Sequence, residues 1–82
     1  VCSCLVSTAQ AEGKAITTIE AQHPVVARLR GAFLAHGAAQ CGICTPGMIM
    51  AAADLLGRNQ NPSRREIEDG IGGVLCRCTG YV

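Results

Sequence analysis

An 82-residue chain, 49% hydrophobic and with a formal net charge of +1 from seven basic and six acidic residues, has room for one small domain. Such a chain buries too little apolar surface to be stable on core packing alone. The scattered charge offers no basic stripe for nucleic acid, and no apolar run approaches the length that crosses a bilayer, so a soluble chain with neither partner is expected.

One Phe, one Tyr and no Trp leave Ala, Val, Leu, Ile and Met to build the core, which suits closely packed helices. The chain begins at Val1 and stops at Tyr81-Val82 without tail-like composition, and reads as a piece of something longer. The β-branched stretches Val1 to Val6 and Ala15 to Ile19, with Glu12-Gly13-Lys14 between them, predict two short strands, the end of a β-domain. Ala21-Gln22-His23-Pro24 marks a boundary, because a proline suits the first helical position and disfavours helix before it. Val25, Val26, Leu29 and Phe33 then share one helical face with Arg28 and Arg30 opposite, and Gly37 predicts the stop.

A second helix is expected from Thr45-Pro46, read as a cap followed by a first-turn proline, with Met48, Ala52, Leu55 and Leu56 at helical spacing and Gly57 closing it. After the polar loop Arg58 to Pro62, Ser63 and Glu66 form a capping-box pattern ahead of Ile67, Ile71, Val74 and Leu75. This third helix is expected to run toward Cys76.

Six cysteines in so short a chain point to a disulfide scaffold or to a metal site. Cys41-Gly42-Ile43-Cys44 is a C-x2-C hook and Cys76-Arg77-Cys78 a C-x-C hook. The residues between them, read as helix, turn and helix, form a hairpin that brings both hooks to one end. The first hook lies at a helix N-terminus, where free N–H groups and the dipole favour anionic sulfur. Gly42, and Gly80 beside the second hook, allow backbone to approach the sulfurs. Spacing leaves Zn(Cys)4 and [2Fe–2S](Cys)4 both open, with disulfides the lesser alternative. The C-x-C bite favours the cluster, because zinc hooks usually leave two or more residues between ligands.

Gln40-Cys41-Gly42-Ile43-Cys44-Thr45-Pro46-Gly47, with Leu75-Cys76-Arg77-Cys78-Thr79-Gly80-Tyr81, closely resembles the C-terminal [2Fe–2S] domain of the molybdenum hydroxylases, the xanthine dehydrogenase and aldehyde oxidoreductase family. The resemblance covers essentially the whole chain. It implies an all-α helical bundle around a [2Fe–2S] cluster held by Cys41, Cys44, Cys76 and Cys78. Residues 1–20 would be the truncated end of a plant-type ferredoxin β-domain, and residues 21–82 the helical domain, whose last helix continues past Tyr81. Ser3-Cys4-Leu5 resembles the stretch with the last ligand of a second, plant-type [2Fe–2S] cluster, which makes Cys4 an orphan ligand. Gln40 and Cys78 would lie near the molybdopterin, Cys78 serving also the cluster.

The function implied is electron transfer within a molybdenum-containing dehydrogenase or hydroxylase. Single electrons would pass from the molybdopterin centre through this cluster to the second cluster and then to FAD or another acceptor. The partners implied are a large molybdopterin-binding and an FAD-binding subunit or domain. No residue that transforms a substrate is expected in this chain, and a reducing cytoplasm suits its ligands. The rival from another class is a structural zinc module for protein interaction; a thiol switch at Cys41 and Cys44 is a third. Cys2 reads as a small strand hydrophobe, His23 and His36 as polar contacts at helix edges, and Met48 and Met50 as packing residues. Arg77 divides evenly between offsetting cluster charge and ordinary solvation. Tyr81 reads as an anchor for a following helix sooner than a shield.

Overall fold

A computed structural model describes residues 1–81. In chain order these form a single 3-10 turn at Ser3–Leu5 and the helices α1 (Thr8–Ala11), α2 (Pro24–Ala35), α3 (Thr45–Arg58) and α4 (Arg64–Ile71). The helical class expected from composition is found. The N-terminal β remnant is not: among the described residues there is no strand. The β-branched residues there have no partner strand to pair with, and two short strands alone are not stable. Local bonds prevail instead. The Ser7 hydroxyl accepts from the Gln10 amide at 3.3 Å, and the Gln10 side chain accepts from the Ser7 amide at 3.0 Å, a capping box that starts α1.

The three longer helices have identifiable ends. His23 Nδ1 accepts from the Val25 amide at 3.3 Å as α2 begins, a cap where a polar contact was expected. At the other end the Ala38 amide donates to Phe33 O and the Gly37 amide to Leu34 O. With Gly37 at φ +58°, this is a Schellman closure that only a residue at ease in the left-handed region makes without strain. Helix α3 starts one residue earlier than its proline signal implied. Cys44 is the cap, Thr45 and Pro46 occupy the first turn, and the helix runs through Gly57 to Arg58. Helix α4 has the predicted capping box: Ser63 Oγ accepts from the Glu66 amide and the Glu66 carboxylate accepts from the Ser63 amide. It ends at Ile71, so residues 72–75 are not helical and the chain turns into the second hook.

Helix α3 packs on α2 on one side and on α4 on the other. The core is small: Val26 of α2, Ile49 of α3 and Cys76 are the buried apolar residues. Ile49 falls outside the spacing read from Met48, Ala52, Leu55 and Leu56, yet it is the residue of α3 that the packing encloses. Two glycines let α3 close on α4 and on the turn that follows it. A Cβ at Gly70 would stand 3.0 Å from Leu55 Cδ2, and one at Gly47 would stand 3.1 Å from Val74 Cγ1. Arg30, expected on the outer face of α2, folds back instead. Its guanidinium donates to Ile19 O at 3.2 Å and Ala21 O at 3.3 Å, tying the preceding segment to the bundle.

The accessible surface is 6688 Å², against about 4,700 Å² for a folded monomer of this size. The excess includes large apolar side chains in the open, among them Leu34, Ile43 and Leu75. No helix of the described residues is long and apolar enough to cross a membrane.

Candidate metal centre

Both hooks meet at the end of the α3–α4 hairpin. The first hook is the loop entering α3, where Gly42 at φ +83° reverses the chain and the Thr45 amide closes the turn on Gly42 O at 3.2 Å. This turn points the Ile43 amide at Cys41 Sγ. The second hook follows α4 by way of a turn in which the Val74 amide donates to Ile71 O at 3.0 Å. Val74 then lies against Gly47 of α3, two residues before Cys76.

The four thiols approach one another as two pairs, each joining one hook to the other. Cys78 Sγ lies 3.4 Å from Cys41 Sγ, and Cys44 and Cys76 are near enough for each to shift the other's ionisation. Cys76 is buried, Cys44 half-buried, and Cys41 and Cys78 exposed, and none of the four is in a disulfide. Among the described residues, no three His, Cys, Asp or Glu side chains gather around one point in the manner of a single-ion site.

The surroundings favour anionic sulfur. Cys76 is lowered from 9.0 to about 7, first by the Thr79 hydroxyl and then by the Thr79 amide, the Cys44 thiol and the Cys78 amide. Cys41 is lowered by the Ile43 amide and by the Cys78 thiol that donates to it. Their partners move the other way. Cys44 is raised because it donates to Cys76 and because of burial, and Cys78 is raised because it donates to Cys41. Within each pair the accepting sulfur is therefore the one that gives up its proton first, and it is the one surrounded by N–H or O–H donors.

Gln40 is exposed immediately before Cys41. Cys4 lies on the N-terminal 3-10 turn, exposed and free, as is Cys2; no hydrogen bond among the described residues joins either to the four. Three contributors were not assigned from sequence. Thr79 Oγ1 lies 3.2 Å from Cys76 Sγ and Tyr81 Oη accepts from the Cys76 amide at 2.8 Å. The third is the Ile43 amide. A hydroxyl three residues after a cysteine, followed by glycine, is the only trace the Thr79 contact leaves in the sequence.

Four free cysteines from two hooks, brought together at the end of a helical hairpin, place the chain in the class of small helical proteins with clustered thiols. Comparison with known proteins narrows the class. Residues 15–82 match the family described as the [2Fe-2S] binding domain, and the chain belongs to that family. It is 48% identical to a probable xanthine dehydrogenase subunit of Bacillus subtilis (strain 168), over 96% of this chain and 46% of that protein. It is 44% identical to the nicotine 6-hydroxylase small subunit of Paenarthrobacter nicotinovorans, over 96% of this chain and 48% of that protein. It is 42% identical to aldehyde oxidase 2 of Mus musculus, over 99% of this chain but only 6% of that protein. The chain thus spans about half the length of these bacterial relatives.

Proposed function

We propose that Cys41, Cys44, Cys76 and Cys78 hold a [2Fe–2S] cluster and that the chain is an electron-transfer domain of a molybdenum-containing dehydrogenase or hydroxylase. The observation that carries this reading is the crossed pairing of thiols, Cys41 with Cys78 and Cys44 with Cys76. A dinuclear cluster needs two thiolates for each of its two metal atoms. Bound there, the cluster supplies reversible one-electron chemistry.

This chain's own residues do the rest. The amides of Ile43, Cys78 and Thr79 and the Thr79 hydroxyl face Cys41 and Cys76, offsetting negative charge that four thiolates would concentrate. Cys76 is screened from water, while exposed Ile43 and Leu75 each adjoin a ligand. Apolar residues so placed, together with the surface excess of about 2,000 Å², support a partner that covers the cluster. On this reading the partners are a large molybdopterin-binding and an FAD-binding subunit or domain, and Gln40 and Cys78 face the molybdopterin. Single electrons leave the molybdopterin centre by way of this domain toward a second [2Fe–2S] cluster and then FAD or another acceptor.

Cys4 would be the last ligand of that second cluster, the other three lying elsewhere in a longer protein. Residues 1–20 and 21–82 would belong to separate domains, and the family match beginning at residue 15 supports a division near this point. A reducing cytoplasm suits four free thiols. The test is redox spectroscopy of anaerobically purified protein. Visible absorption that dithionite bleaches and mild oxidation restores is expected, with one electron per cluster. A colourless protein that takes up no electrons would end this reading.

A further inference from the structure

Three hydrogen bonds close the loop of the second hook on itself. The Cys76 amide donates to Tyr81 Oη at 2.8 Å, the Tyr81 amide donates to Thr79 Oγ1 at 3.1 Å, and Thr79 Oγ1 lies 3.2 Å from Cys76 Sγ. Gly80 and Tyr81 both have φ of +64°, so two successive left-handed residues fold the chain back to make the circuit. That conformation is unfavourable for a tyrosine by about 1 to 2 kcal/mol, and it puts the phenol where the Cys76 amide points.

The circuit fixes the direction of the last bond. A hydroxyl has one proton and two lone pairs. The Tyr81 amide can only donate, so the Thr79 oxygen accepts there and keeps its proton for Cys76 Sγ. A thiolate ligand has no proton to offer in return. We propose that Thr79 is a positioning residue that raises the reduction potential of the cluster by donating its hydroxyl proton to the Cys76 sulfur, with Tyr81 holding the hydroxyl in place. The inference rests on the reading of Cys76 as a cluster ligand. Reduction adds negative charge that the ligand sulfurs share, and a charge-assisted bond strengthens with that charge. The donor therefore stabilises the reduced state more than the oxidised one.

The experiment is a redox titration of anaerobically purified holoprotein, following the electron paramagnetic resonance signal that Cys76→Ser removes. Thr79→Val keeps the shape and loses the proton. At a fixed poise its ratio of reduced to oxidised cluster is expected to fall about tenfold, a shift of about 59 mV to lower potential for a one-electron couple. Thr79→Ser is expected to restore the wild-type potential, which a packing role for the threonine methyl would not do. On wild-type protein, resonance Raman bands of iron–cysteine stretching are expected to shift on exchange into deuterium oxide, and part of that shift is expected to be absent in Thr79→Val. Equal potentials for wild type and Thr79→Val overturn the inference while leaving the cluster in place. Wild-type protein without iron and sulfide overturns the ligand reading and this inference together.

Discussion

Replacing Gly47 by alanine tests whether the contact between α3 and Val74, in the turn after α4, sets the position of the second hook. The new Cβ would meet Val74 Cγ1 at 3.1 Å, several tenths of an ångström inside ordinary carbon contact at about 3.5 to 4.0 Å. Valine is stiff about its first torsion, so relief must come from backbone movement two residues before Cys76. Overpacking of this kind costs about 1 to 3 kcal/mol, and the gain in helix propensity returns about 1 kcal/mol. The balance is a loss of about 0 to 2 kcal/mol. Gly57 lies in the same helix with nothing within 4 Å of an added Cβ. There the same substitution is expected to stabilise by about 0.4 to 1 kcal/mol. Urea unfolding of the anaerobic holoprotein, followed by helical dichroism and by visible colour, reads both variants. Gly47→Ala should lower the midpoint, with colour lost ahead of helix, and Gly57→Ala should raise it. A Gly47→Ala variant as stable as Gly57→Ala, with unaltered colour, would refute the claim that this contact seats Cys76.

In the metal-free protein, ultraviolet thiolate absorption should show one group titrating at about 7, ahead of the others. Cys76→Ser should remove that step, because below about pH 7 the Cys76 sulfur regains its proton despite the Thr79 donors. Cys44 and Cys78, which donate, should ionise above the ordinary thiol value of 9.0; simultaneous titration of all cysteines would contradict the paired arrangement. Arg30→Met keeps the apolar stem but removes both bonds to Ile19 O and Ala21 O. Partly exposed charged hydrogen bonds of this kind are worth about 1 to 2 kcal/mol together. Faster hydrogen exchange at the Ala21 amide, which donates to Thr18 O, is the expected readout, and unchanged exchange would mean that the clamp carries no weight.

The hooks and the three longer helices were legible because their signals are local. Pro24 at a first turn, the Ser63 and Glu66 box and Gly37 at a left-handed position each specify an end through bonds a few residues apart. The N-terminal segment misled for the same reason: β-branched residues in Ala15 to Ile19 carry strand preference, but a strand exists only with a partner. Gly57 read as a stop because glycine often ends helices, yet the helix continues to Arg58. Ile49 was hidden because α3 is enclosed from two sides, by α2 and α4, which widens its apolar face beyond one stripe. The circuit through Thr79 and Tyr81 depends on two left-handed residues in a row, which the sequence does not specify for a tyrosine.

That the four cysteines hold a dinuclear cluster is checked by metal and sulfide analysis of the anaerobically purified protein. Two iron and two acid-labile sulfide per chain are expected, in keeping with the [2Fe-2S] binding family, lost in Cys44→Ser and retained in Cys2→Ser. One zinc per chain without sulfide, or equal losses in the two variants, would contradict it.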